Sequence, residues 1–140
     1  MIQEPFHRQN IDPKNPRLSK AVFKWSEDSL REGYTPLPKR FMRVLDRVFP
    51  EHFGFDHLKS LLAIVDYKRA NLTRDASLDY LAFIAGQSPE LFQKCVDDLV
   101  GEKLITYTGD PEDGLYFEIE NLLKLVEKEA DTQDKEFLES

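Results

Sequence analysis

Hydrophobic residues recur at helical spacing in several segments of this 140-residue chain. In residues 38–48 the apolar positions fall on one side, which predicts an amphipathic helix. Residues 56–70 are apolar enough for a buried central helix, and Asp56 is its predicted N-cap. A short apolar helix is predicted over 78–85. The pattern therefore predicts three successive helices in this part of the chain.

A helix-turn-helix is indicated by residues 81–105, LAFIAGQSPELFQKCVDDLVGEKLI. Gly86 is predicted to end the first helix in a left-handed conformation. Ser88 is predicted to cap the second helix, over 88–103, with Pro89 at its first position. One apolar stripe follows this helix: Leu91, Phe92, Cys95, Val96, Leu99 and Val100. In DNA-binding proteins of this kind the second helix enters the major groove.

Two short segments after the second helix are rich in β-branched and aromatic residues, which predicts strands at 104–108 and 115–119. The sequence GDPEDG between them predicts a turn, and a last helix is predicted over 119–130. The order of these elements predicts a mainly α, α+β fold. Its specific form is a winged helix-turn-helix with one antiparallel β-hairpin wing and a C-terminal helix.

The length of the chain predicts a single domain. Residues 1–17 are polar, contain three prolines and are predicted to form a flexible arm, followed by a helix over about 18–32. The winged-helix domain is predicted to cover 18–130, and residues 131–140 to form an acidic tail. The predicted core contains Trp25, Phe41, Leu45, Leu61, Leu62, Val65, Leu81, Ile84, Leu91, Cys95, Leu99, Ile105 and Phe117.

The sequence argues against several classes of protein. A single cysteine excludes an internal disulfide framework and a multi-cysteine zinc site, and favours a reducing environment. No apolar run approaches the ~18 residues of a membrane span. The first residues, MIQEPFHRQN, lack the apolar segment of a signal peptide. A cytoplasmic protein without a membrane partner is therefore expected.

Catalytic chemistry has little support in the sequence. His7, His52 and His57 are scattered, without a third ligand at metal spacing. Cys95 lies on the apolar stripe, where a buried structural thiol is expected. A glycine-rich phosphate loop is missing. We therefore expect no enzyme activity, no cofactor, no metal and no small-molecule substrate.

The residues also resemble a family of winged-helix modules found at the front of bacterial, phage and plasmid replication proteins. These modules are similar to the N-terminal domain of the primosomal protein DnaD. The resemblance covers about residues 20–130. It rests on the motifs KWSEDSLREGYTPLPKRFMRVL, LLAIVDY, the helix-turn-helix, and DGLYFEIENLLKLVEK. It implies a module of replication or transcription control that binds DNA, oligomerises, or does both.

Charge is divided unevenly along the chain, whose net charge is −7. Residues 1–74 carry 14 Lys and Arg against 9 Asp and Glu, whereas residues 75–140 carry 5 against 17. In the first half, arginines recur at i, i+3 and i+7 on one predicted helix. We hypothesise that a basic helix face and the arm contact the DNA backbone, with these candidate residues: Lys39, Arg40, Arg43, Arg47, Lys68, Arg69 and Arg74.

The second helix of the helix-turn-helix departs from the family pattern, because its outward positions are acidic rather than basic. Carboxylates there and in the wing would face the phosphates of DNA and repel them. The alternative hypothesis is a protein–protein or oligomerisation module without direct DNA binding. Its candidate residues are Glu90, Asp97, Asp98, Asp110, Glu112 and Asp113. The partner would be a basic protein or the basic half of another copy.

Overall fold

A computed structural model describes residues 37–70 and 76–139. The predicted arm, the predicted helix at 18–32, Trp25 and Arg74 lie outside the described residues. The described elements are α1 (Lys39–Val48), α2 (Phe55–Ala70), α3 (Leu78–Ala85), α4 (Pro89–Gly101), β1 (Thr106–Asp110), β2 (Gly114–Glu118) and α5 (Glu120–Glu139). The fold is therefore mainly helical, with a two-stranded antiparallel hairpin and a C-terminal helix, as the α+β prediction requires.

The helices form two groups of contacts. Helices α2, α3 and α4 pack on one another in pairs, and α1 packs along α5. The hairpin joins the first group through backbone hydrogen bonds in both directions between Ala76 and Leu115, at 2.6 and 2.7 Å. Ala76 thus adds a single-residue third strand beside β2, just before α3 begins.

The turn between α3 and α4 follows the sequence prediction. Gly86 has a φ of 69°, and the Gln87 N–H donates to the carbonyl of Ala82 at 2.9 Å. The Ser88 hydroxyl accepts from the Leu91 N–H at 3.1 Å, with Pro89 at the first helical position. A left-handed glycine thus ends α3, and a serine side chain caps α4.

Asp56 is not the N-cap of α2, because the helix already begins at Phe55 and Asp56 lies in its first turn. Instead, Nδ1 of His57 accepts from the N–H of Gly54 at 3.3 Å. The histidine takes the role that Glu or Gln plays in a capping box. Asp56 remains favourable there because a carboxylate in the first turn complements the helix dipole.

Helix α4 ends at Gly101, two residues before its predicted end. Lys103 adopts a left-handed conformation with φ 61°. The Lys103 N–H donates to Val100 O at 2.9 Å and the Leu104 N–H to Leu99 O at 3.1 Å, the bond pattern of a Schellman motif. Leu99 and Leu104 occupy the two positions that usually make a hydrophobic contact in this motif, and both are buried.

Strand β1 covers 106–110 and therefore begins two residues later than the predicted 104–108. The reason is that Leu104 belongs to the end of α4 and Ile105, next to it, is buried. Strand β2 ends at Glu118, and the register pairs Thr106 with Glu118 and Asp110 with Gly114. Oδ1 of Asp110 accepts from the backbone N–H groups of Glu112 and Asp113, at 2.9 and 2.8 Å. The turn is therefore built on the Asp110 side chain.

The predicted core is confirmed for seven of the twelve predicted positions that the structure describes. Phe41, Leu61, Leu81, Cys95, Leu99, Ile105 and Phe117 are buried. Leu45, Leu62, Val65, Ile84 and Leu91 are only half-buried. Phe92, which lies on the predicted apolar stripe of α4, is fully buried, and so is Leu115, which was not in the predicted core. The core thus contains side chains from all five described helices and from the inner face of β2.

Helix α5 runs to Glu139, well past the predicted end at residue 130. Its buried residues, Leu122, Val126 and Ala130, follow one another at intervals of four. No residue after Ala130 is buried within the described part of the helix. The acidic segment predicted as a tail therefore continues as helix, with side chains that are exposed or half-buried from 131 to 139.

Candidate functional site

The three arginines predicted to form a basic track lie on one side of α1, and that side faces α5. We call Arg40, Arg43 and Arg47 the arginine face. Opposite them stand four carboxylates of α5, which we call the acidic end: Glu127, Asp131, Asp134 and Glu136. The basic track is thus paired within its own chain.

Arg40 is at the centre of this contact. Its guanidinium reaches Asp131 at 2.7 Å, Asp134 at 3.1 Å and Glu127 at 3.3 Å. These three carboxylates recur at intervals of four and three residues, so one face of α5 presents them together. Arg40 Nε is buried and has no hydrogen-bond partner among the described residues.

The other two arginines continue the contact toward the end of α5. Arg43 pairs with Asp134 at 3.0 Å, and Arg47 pairs with Glu136 at 2.9 Å. Gln133 donates from Nε2 to the backbone carbonyl of Arg43 at 3.2 Å. The partners advance along both helices in the same direction, so α1 and the end of α5 run side by side.

The arginine face explains why α5 does not stop at Ala130. The last turn of α5 contains no basic residue, and carboxylates near a helix C-terminus interact unfavourably with the helix dipole. The guanidinium groups supply the missing positive charge from another helix. The sequence prediction ended the helix where the apolar spacing ended, and it could not include this tertiary contribution.

The ion pairs shift the ionisation of both partners. A hydrogen bond from Arg43 holds the pKa of the Asp134 carboxyl below its ordinary value of 3.8, and Arg40 adds to the effect. The hydrogen bond to Asp131 raises the pKa of Arg40, and that to Glu136 raises the pKa of Arg47. The contact therefore favours the charged form on both sides.

Acidification should loosen the acidic end of α5. Because the pKa of Asp134 is depressed, its contribution to stability is complete above the ordinary carboxyl pKa and is lost as the pH falls through the depressed value. We expect amide exchange in residues 131–139, corrected for intrinsic rates, to be unchanged from pH ~7 to ~5 and to accelerate below about pH 4 relative to α4. The variant Asp134→Asn should show less acceleration, and equal behaviour of the two proteins would contradict this role.

Of the remaining basic candidates that the structure describes, Lys68 and Arg69 lie on α2, apart from the arginine face, and Lys39 lies beside it. Lys68 is only 5% exposed, and its ammonium lies 4.2 Å from the centre of the Tyr116 ring. Arg69 is exposed and pairs with Asp66 at 3.2 Å on its own helix. Lys39 is exposed at the start of α1, beside the arginine face. Burial makes Lys68 a structural residue rather than a phosphate contact.

Two of the acidic candidates on α4 have partners inside the chain. Asp97 accepts from Gln93 at 3.0 Å and from the Tyr107 hydroxyl at 3.2 Å, which links α4 to β1. Asp98 lies 2.8 Å from Nε2 of His57. Because Nδ1 of that histidine already accepts a hydrogen bond, Nε2 carries the proton and donates to the carboxylate.

Other acidic candidates remain open to solvent. Glu90 is exposed on the same row of α4 as Asp97, and Glu112 and Asp113 are exposed in the hairpin turn. Asp110 is occupied by the turn, and hydrogen bonds from the backbone of Asp113 and then Glu112 lower the pKa of its carboxyl. We call Glu90, Glu112 and Asp113 the open carboxylates.

Sequence reasoning did not assign several residues that organise these surfaces. His57 and Tyr107 hold α4 to its neighbours, and Gln87 donates to the carbonyl of Asp56 at 2.8 Å. These contacts join residues far apart in sequence and leave no periodic pattern. The acidic end of α5 did leave a periodic pattern in the sequence. Glu127, Asp131 and Asp134 recur at intervals of four and three residues, which places them on one helix face.

Other kinds of site find no support among residues 37–70 and 76–139. No three His, Cys, Asp or Glu side chains group there as metal ligands. Burial raises the pKa of the Cys95 thiol, which disfavours a nucleophilic thiolate. Within the same residues, each helix is too short or too polar to cross a membrane. No family model, curated protein or solved structure matches the chain.

Proposed function

We propose that this chain is a non-catalytic winged-helix module of replication or transcription control, and that it acts mainly by binding a protein partner. The winged-helix assignment is supported by the order of α2, the Ala76 bridge, α3, α4 and the hairpin. The link to replication rests on the sequence resemblance.

The observation that carries this proposal is the charge on the outer side of α4 and the hairpin. The open carboxylates face solvent, while the arginines that could offset them are paired with α5. Duplex DNA carries one negative charge per ~1.7 Å of its axis, so this surface would be repelled by the phosphates. A partner with Lys and Arg side chains would be attracted instead.

The hairpin and α4 form one surface for such a partner. Gln93 donates to the Tyr107 hydroxyl at 3.1 Å, and that hydroxyl donates to Asp97, so β1 is tied to the exposed row of α4. Glu90 lies on this row, one turn before Gln93. A basic protein segment is therefore the partner that the surface fits, and a second copy of the chain is one possible source.

A peptide titration followed by NMR tests the proposal. A Lys- and Arg-rich peptide should perturb the amides of α4 and the hairpin turn of the isotope-labelled chain. Random duplex DNA should leave those amides unchanged. The variant Glu90→Gln, Glu112→Gln, Asp113→Asn should weaken peptide binding several-fold, because exposed charge pairs contribute ~0.2–1 kcal/mol each.

A matched variant controls for net charge. The control variant Glu51→Gln, Glu120→Gln, Glu139→Gln also removes three negative charges, but at exposed positions outside the proposed surface. We expect this control to bind the peptide as the unmodified chain does. The proposal fails if both variants lose affinity equally, or if duplex DNA shifts the amides of α4.

A further inference from the structure

The arginine face has the composition of a phosphate-binding surface, but carboxylates of the same chain occupy it. We propose that it is a latent binding site for the phosphate backbone of nucleic acid, covered here by the acidic end of α5. This site lies on other residues than the partner surface proposed above and takes a ligand of opposite charge. Either proposal can therefore fail without the other.

The chemistry of the covered site favours phosphate. Guanidinium groups bind carboxylate and phosphate oxygens with the same geometry, so a carboxylate can hold the place of a phosphate. Arg40 and Arg47 are seven residues apart on α1, which is about 10 Å along the helix axis. That distance equals the rise of roughly three base pairs, at ~3.4 Å each along the duplex axis. Lys39 adds an exposed cation at the start of the row.

The acidic end can detach from the arginine face without opening the core. Leu122, Val126 and Ala130 anchor α5, and no described residue beyond Ala130 is buried. The acidic end meets α1 through ion pairs whose side chains are 30% to 67% exposed, and through the bond from Gln133 to Arg43. Exposed ion pairs are individually weak and are screened by salt. The acidic end of α5 is thus held to α1 less firmly than the part of α5 that Leu122, Val126 and Ala130 anchor in the core.

Neutralising the acidic end should uncover the site. The variant Glu127→Gln, Asp131→Asn, Asp134→Asn, Glu136→Gln should bind random-sequence duplex DNA more tightly than the unmodified chain in a fluorescence anisotropy titration. If the three arginines each contact one phosphate, their share of the affinity should fall about 40-fold between ~50 and ~200 mM salt. Deletion of residues 131–140 should give the same gain, because it removes three of the four carboxylates and leaves the anchoring residues in place.

Two further variants separate the site from a general effect of charge. The control Asp79→Asn, Glu102→Gln, Glu118→Gln, Glu120→Gln raises the net charge by the same amount at exposed positions outside the arginine face, the acidic end and the open carboxylates. It should bind DNA as weakly as the unmodified chain. Adding Arg40→Gln, Arg43→Gln and Arg47→Gln to the neutralised variant should abolish the gain and its salt dependence.

Several outcomes would overturn the proposal. The first is that the neutralised and truncated variants bind DNA no more tightly than the unmodified chain. The second is that the control variant gains as much DNA affinity as the neutralised variant. The third is that the gain in DNA affinity survives replacement of the three arginines. Equal binding of poly-glutamate by the neutralised variant would also overturn it, because the site would then accept acidic protein as readily as nucleic acid. Far-UV circular dichroism should show a loss of helix content no larger than residues 131–139 can account for.

Discussion

Replacing Leu99 by alanine should lower the free energy of unfolding by about 2–5 kcal/mol. Leu99 is fully buried in α4, which packs on both α2 and α3. Removing its side chain leaves a cavity among helices that cannot all close over it, so lost transfer energy and cavity energy add together. Its carbonyl also accepts the bond from Leu104 that ends α4. Chemical denaturation of the two proteins measures the difference.

A leucine outside the core gives the matched comparison. Leu138 is 82% exposed near the end of α5, so Leu138→Ala should change stability by no more than about 0.5 kcal/mol. Equal costs for the two substitutions would mean that α4 does not occupy the centre of the core. The slope of unfolding against denaturant should stay constant, since the surface exposed on unfolding is nearly the same.

Replacing Gly109 by alanine should destabilise the hairpin strongly. Gly109 has a φ of 94°, which side-chain-bearing residues rarely adopt, and this alone costs about 1–3 kcal/mol. An added Cβ would also overlap the carbonyl oxygen of Gly114 across the strand pair. Both effects oppose the native turn, so we expect a lower midpoint of thermal unfolding and loss of the cross-strand NMR contacts between Thr108 and Tyr116.

The control for this change is Gly101→Ala. Gly101 is the last residue of α4, and nothing lies within 4 Å of a Cβ placed there. Alanine at a helical position is favoured over glycine by roughly 0.5–1 kcal/mol, so this variant should be slightly stabilised. The two glycine substitutions should therefore have opposite signs. A stable Gly109→Ala protein would show that the hairpin turn tolerates another conformation.

The sequence was most informative where local chemistry decides the structure. The bounds of α3 and the caps at Gly86 and Ser88 follow from residue types that suit those backbone conformations. The buried positions of α4 follow from helical spacing. These features depend on residues within one turn of each other, and they were predicted correctly.

Features that depend on distant residues were predicted less well. A local feature was also missed, because Lys103 is a non-glycine residue in a left-handed conformation; it ends α4, and β1 begins two residues later than predicted. The last turns of α5 depend on arginines about 90 positions earlier in the chain. No local pattern shows that the arginines and the acidic end of α5 lie opposite each other, because this contact joins separate elements.

The candidate sites show the same division. The arginines do share one side of α1, as their spacing predicted, but the spacing could not reveal what lies opposite. Lys68 was grouped with them by charge, whereas in the structure it is buried and lies over the ring of Tyr116. DNA binding and partner binding themselves remain predictions.

The single thiol of the chain can be used to measure how often and how fast the core opens. Cys95 is 1% exposed and the sequence contains no other cysteine, so a thiol reagent can label the native chain only after α4 has opened. At low reagent concentration the labelling rate reports the equilibrium population of the open form, and at high concentration it reports the rate of opening. No engineered probe is required, and every variant described above carries the same reporter at the same position.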